Sequence, residues 1–158
     1  MRVSDAGSDM RLSLQVQYAI CASFDLAYSG QGEPIQIRAI ADRQAIPPRY
    51  LEQIFVRLRR AGLVDSKRGP GGGYRLARPA AEITLCEIVE AVEGPLAGSL
   101  EMAPPKAGAI ANRPDFLWGG LAEGFSEALG AITLDALCRQ AARANLPGAR
   151  ADAPMYFI

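Results

Sequence analysis

A chain of 158 residues, 49% of them apolar, is long enough for one domain with a real hydrophobic core and too apolar to be disordered. It contains no histidine, which excludes His-based triads, histidine general bases and metal sites built on imidazole; its cysteines, at 21, 86 and 138, form neither a disulfide framework nor a CxxC zinc knuckle. Seventeen basic residues balance seventeen acidic ones overall but not locally: residues 1–48 hold four basic against five acidic, residues 49–78 eight against two, and the remainder five against ten.

That uneven distribution is the footprint of a polyanion-binding surface set in a body that does not share it. There is no apolar run of 18 residues, and the first nine residues are polar and acidic. Neither a membrane span nor a signal peptide is therefore expected, and a cytoplasmic protein with reduced thiols is the default. Residues 1–9 read as a flexible leader, with Met10 an alternative start.

In chain order, Ser13–Tyr28 carries apolar residues at Leu14, Tyr18, Cys21, Ala22 and Leu26, the spacing of an amphipathic helix capped by Ser13. Two glycines and a proline in 29–34 end it. Ile35–Gln44 predicts a short helix with Ile37, Ile40 and Ala41 inward, followed by a turn over Ala45–Pro48. Arg49–Ala61 is the longest strongly periodic stretch. Leu51, Ile54, Phe55 and Leu58 form its inner stripe, while Arg49, Glu52, Gln53, Arg57 and Arg60 face elsewhere. A proline suits its first turn and Gly62 stops it. Two helices joined by a short turn, the second basic on its outer side, make a helix-turn-helix.

Leu63–Lys67 and Tyr74–Ala77 are short strand candidates around the glycine-rich stretch RGPGGG, residues 68–73. A hairpin with a slim basic tip directly after a recognition helix is a wing, and Lys67, Arg68 and Arg75 would bring charge to phosphates or to the minor groove. The stretch lacks the GK[ST] ending of a phosphate loop. Thr84–Gly94 predicts a helix with a Thr84–Glu87 capping box and an apolar face of Leu85, Ile88, Val89 and Val92. Residues 95–113 hold several prolines and no period, which reads as a loop. Pro114–Leu129 resumes the helical pattern through Phe116, Leu117, Leu121, Phe125 and Leu129, with Trp118 beside them. Thr133–Ala142 is a last short helix, and the tail ends apolar in DAPMYFI, which is expected to dock or to be swapped onto a partner.

Four segments together resemble a known family: MRLSLQVQYAI (10–20), IPPRYLEQIFVRLRRAGLV (46–64), RGPGGGYRLA (68–77) and ITLCEIVEAVEG (83–94), with Trp118 and then Ile132–Leu134 as a later match. They are similar to the winged helix-turn-helix regulators related to the iron–sulfur cluster regulator and the nitric-oxide-sensing repressor. The resemblance covers about residues 10–142. It implies a mainly α fold with a small β-hairpin: a winged helix-turn-helix domain over 10–93, a linker loop over 94–113, dimerisation and C-terminal helices over 114–142 and a tail over 143–158. It further implies a homodimer on a pseudo-palindromic operator in double-stranded DNA. The recognition helix would enter the major groove and the wing the adjacent minor groove, with Arg49, Tyr50 and Glu52 at the helix start and Arg68 as the wing arginine. Candidate DNA contacts are therefore Arg49, Tyr50, Glu52, Gln53, Arg57, Arg60, Lys67, Arg68 and Arg75. Candidate dimer contacts are Phe116, Leu117, Trp118, Leu121, Phe125 and Leu129.

One departure matters. Relatives that sense iron, nitric oxide or redox state hold an iron–sulfur cluster on three cysteines of the loop between 94 and 114, and here that loop has none. The usual cluster is excluded, and neither a cofactor nor a metal is expected. Three alternatives stay open: a repressor responding through Cys86 or Cys138, one responding to a small-molecule effector bound near Trp118, and a protein-interaction module that kept the fold without operator specificity. An enzyme is not expected, because no general base has a supporting partner.

Overall fold

The computed structural model describes residues 12–100, 103–108 and 112–148. The leader 1–9 and the apolar end DAPMYFI, expected to dock or to be swapped, lie outside them. The described chain is seven α-helices and one two-stranded antiparallel sheet. This is the mainly helical winged fold that the spacing predicts.

Helix α1, Leu14–Asp25, starts at Ser13, whose Oγ accepts from the Val16 amide at 3.2 Å. The hydroxyl also donates to the Glu93 carboxylate. The helix does not stop where the α pattern ends but widens into a π-helical turn, Leu26–Gly30. Helix α2, Ile37–Gln44, lies against α1 and α3 and buries Ile40 and Ala41. Its anchor to α1 is polar: the Asp25 carboxylate, 1% exposed, accepts from Arg43 Nε at 3.0 Å, Arg43 Nη2 at 2.7 Å and Gln44 Nε2 at 3.0 Å. A carboxylate buried there persists only because several donors surround it.

Helix α3, Pro48–Arg60, has Pro48 in its first turn, where the missing amide proton costs nothing. Leu51, Ile54, Phe55 and Leu58 are all buried, as their spacing predicts. Gly62, at φ 75°, takes the left-handed conformation that ends the helix. Strands β1, Val64–Lys67, and β2, Gly73–Leu76, pair with Val64 opposite Leu76 and Lys67 opposite Gly73.

The hairpin is held to the body by a contact that the helical pattern of 35–44 conceals. Ile35 is not helical; it bridges Tyr74, with both amide-to-carbonyl bonds at 2.8 Å. The Tyr74 ring stacks on Phe55 of α3 at 4.3 Å between centroids. Gly73 lies so close to this bridge that a Cβ on it would stand 2.3 Å from the Ile35 carbonyl oxygen. Wing and recognition helix are thus one packed unit.

Helix α4, Leu85–Glu93, carries the full capping box between Thr84 and Glu87 and buries Leu85, Ile88, Val89 and Val92. The 95–113 stretch, expected to be a loop, has among its described residues a helical turn, α5, Leu96–Ser99. Helix α6, Phe116–Gly130, rests on α4 and α5. Helix α7, Leu134–Arg143, is capped by Thr133. The tripeptide Ile-Thr-Leu occurs twice, at 83–85 and 132–134, and the two copies meet. Thr84 and Thr133 form an antiparallel bridge, with Leu85 N to Ile132 O at 2.9 Å and Leu134 N to Ile83 O at 3.0 Å. Each threonine caps its own helix at the same backbone angles, near φ −100° and ψ 159°.

Candidate nucleic-acid interface

Burial of four apolar side chains fixes which side of α3 faces out. The opposite face is the stripe Arg49, Gln53, Val56 and Arg60, at spacings of four, three and four, and all four are exposed. Glu52 flanks the stripe on one side and is also exposed. Tyr50 lies on the other flank, half-buried, its ring 5.9 Å from Tyr18 of α1. The Arg49 guanidinium sits 4.9 Å over the Tyr50 ring, and its Nη2 donates to the Tyr50 hydroxyl at 3.3 Å. Tyr50 therefore serves as a platform that orients Arg49 at the start of the helix.

Arg57 is placed differently from its neighbours. Its Nη1 donates to Gln15 Oε1 at 2.9 Å and to the Val92 carbonyl at 3.0 Å, tying α3 to α1 and to the end of α4. Arg59 reaches the wing and donates to Ser66 Oγ at 3.2 Å. The wing residues Lys67, Arg68 and Arg75 are all exposed, Arg75 opposite Asp65 in the strand register. Behind the wing, Arg78 pairs with Glu87. Burial by itself would push the Glu87 carboxyl up; the Thr84 amide and the Arg78 guanidinium outweigh it and hold the group below the ordinary range.

The predicted apolar face of α6 divides in two. Phe116 is 87% exposed, and Leu117, Leu121 and Phe125 are exposed along the same helix. Trp118 is half-buried, and Leu129 packs against the chain's own core. A cleft of about 310 Å³ between α5 and α6 is lined by Ala97, Gly119, Ala122, Glu123 and Ser126, without Trp118. A second, more apolar cleft of about 330 Å³ lies between α1 and α7, with Cys21 in its wall.

The three thiols sit on three helices, α1, α4 and α7. All have their pKa raised: Cys21 by burial, Cys86 by burial and then by the Glu90 and Glu87 charges against the pull of a Ser126 hydrogen bond, and Cys138 by burial and Asp135. Among the described residues no group of three or more His, Cys, Asp or Glu side chains could hold a metal ion, and no helix is long and apolar enough to cross a membrane.

The comparisons with known proteins agree with this architecture. The model of the Rrf2 family, described as iron-dependent transcriptional regulators, matches residues 12–140. The chain is 44% identical over 119 residues to the helix-turn-helix transcriptional regulator IscR of Cereibacter sphaeroides, covering 74% of this chain and 77% of that one. Among solved structures, IscR of T. potens superposes with a TM-score of 0.68 at 33% identity, covering 89% and 95% of the two chains. CymR, the global cysteine regulator of B. subtilis, superposes at 0.67 and 31% identity, covering 84% and 98%.

Iron held as a cluster needs several thiolates brought together. Three dispersed thiols, each held toward its protonated form, and a cysteine-free loop between α4 and α6 do not fit a cluster. The scaffold and its basic recognition helix do match: the chain belongs to the Rrf2 family of winged helix-turn-helix transcriptional regulators, as a member without the cluster sensor.

Proposed function

We propose that the protein acts in the cytoplasm as a homodimer that reads a pseudo-palindromic operator in double-stranded DNA. The observation that carries this reading is the division of α3, whose inner stripe is wholly buried while Arg49, Gln53 and Arg60 stand out on the opposite face beside an exposed basic wing. In the bound dimer, Arg49, held by Tyr50, together with Glu52 and Gln53, reads base edges. Arg60, Lys67 and Arg75 neutralise phosphates, and Arg68 at the wing tip enters the minor groove. Arg57, whose Nη1 is committed to α1 and α4, holds the helix at its angle.

The exposed side chains of Phe116, Leu117, Leu121 and Phe125 form the face through which two copies pair. Two-fold pairing sets the recognition helices about 34 Å apart, one turn of duplex. The raised thiol pKa values speak against a switch at Cys86 or Cys138. An effector, if one acts, must bind two dimer arrangements unequally.

The test is selection of bound fragments from random duplex DNA by the purified protein at two salt concentrations, paired with sedimentation of the wild type and of Phe125→Glu. A recovered palindrome, and a variant that sediments as a monomer and loses it, are expected. Sequence-blind binding in every condition would instead identify a winged module turned to protein partners.

A further inference from the structure

The outward stripe of α3 has one member that neither folding nor charge explains. Val56 is 39% exposed, yet it stands between Gln53 and Arg60 on a face otherwise made of polar and charged side chains. It packs into no core: the buried stripe is complete without it, on the far side of the helix. Helix propensity does not explain it either, because a β-branched residue is a poorer helix former than the lysine, glutamine or arginine that would suit an exposed position. Isolated exposed apolar residues are ordinary on protein surfaces. This one lies in the middle of the surface assigned above to the major groove, with Gln53 and Arg60 one turn away on either side.

A short, branched, apolar side chain at that place has one complementary feature in the groove. Of the four bases only thymine presents an apolar group there, its 5-methyl, while the other base edges present hydrogen-bond donors and acceptors that Val56 cannot satisfy. We propose that Val56 is a specificity-determining residue that packs against the 5-methyl group of one thymine in each half-site. The contact excludes water from two apolar groups and disfavours cytosine, whose amino group would be left without a partner at that position. This inference rests on the DNA-reading assignment of α3 and adds a base preference to it.

The experiment uses the full chain and the palindrome it selects. Each thymine is replaced singly, and then as symmetric pairs, by deoxyuridine, which removes the methyl group and nothing else. Binding is measured for the wild type, Val56→Ala and Val56→Ser. Wild-type affinity is expected to fall roughly fourfold at one thymine of a half-site, and more than tenfold when both half-sites are changed, the worth of one buried methyl group each. The same substitution should cost Val56→Ala and Val56→Ser nothing, and both should bind the unmodified operator about as the wild type binds the deoxyuridine one. Thymine sensitivity that persists undiminished in Val56→Ala, or a wild type indifferent to every methyl group, overturns the assignment of Val56 while leaving the operator reading intact. Failure to select any sequence overturns both.

Discussion

Arg57 of α3 donates from Nη1 to the backbone carbonyl of Val92, the next-to-last residue of α4, at 3.0 Å. The same nitrogen bonds Gln15, so one side chain joins the recognition helix to two scaffold helices. Periodicity cannot separate Arg57 from Arg60, because both lie off the buried stripe. The distinction shows in salt dependence. Arg60→Ala should reduce the slope of log affinity against log salt by about one, as loss of a phosphate contact does. Arg57→Ala should weaken operator binding with the slope unchanged and lower stability by about 1–2 kcal/mol. A slope change in Arg57→Ala equal to that of Arg60→Ala would place Arg57 on the DNA instead.

Gly73 is the point where wing and body touch. A side chain there meets the Ile35 carbonyl and must also adopt φ 145°, which L residues avoid. Gly73→Ala should destabilise the fold by about 1–3 kcal/mol, lowering the thermal midpoint by roughly 2–4 °C for each kcal/mol. Operator affinity should fall more than nonspecific affinity, because the wing would lose its register against α3. Gly62→Ala, with open space around it, should cost only about 1 kcal/mol from its left-handed backbone.

The depressed Glu87 carboxyl predicts a pH dependence with a definite sign. Its pairing with Arg78 and the Thr84 amide contributes stability that is complete above the unfolded carboxyl's pKa, about 4.3, and is lost as pH falls through the lower folded value. Glu87→Ala should therefore be less stable than the wild type by about 1 kcal/mol at neutral pH. The two denaturation curves should converge in acid. A gap that widens below pH 4 would contradict the assignment.

All three thiols should be poor nucleophiles. With each pKa raised, alkylation by iodoacetamide at pH 7 is expected to be slower at Cys21, Cys86 and Cys138 than for free cysteine, and to accelerate as pH rises. Site-resolved mass spectrometry checks this. A Cys86 that reacts faster than free cysteine would reopen the thiol-switch reading.

Much of this was readable because α3 and α4 obey one simple pattern. Leu51, Ile54, Phe55 and Leu58, and again Leu85, Ile88, Val89 and Val92, repeat at three and four, and every one is buried. Ser13, Thr84 and Thr133 cap their helices from positions where side-chain chemistry alone marks a start. What escaped the sequence depends on partners distant along the chain. Ile35 shares the helical spacing of Ile37 and Ile40, and only the arrival of Tyr74 some forty residues later shows it as a bridge residue. Nothing local marks Asp25 off from other acidic residues; only folding surrounds it with Arg43 and Gln44. Leu129 fits the α6 stripe by spacing, yet each four-residue step advances about 40° around the helix and brings it to the side of its own core.

The paired Ile-Thr-Leu tripeptides have a consequence for how such a regulator can change. The chain departs into α4 and comes back into α7 at a stitched point, with the loop and α6 between them as a closed excursion that folds back on α4. Among the described residues, none between Leu96 and Ala122 joins the buried core. Lengthening the loop between α5 and α6 costs little more than loop-closure entropy, about 0.6 kcal/mol per doubling. The buried stripes of α3 and α4 close without any side chain from that loop, which in this chain carries no cysteine at all, so its sequence can change without disturbing them.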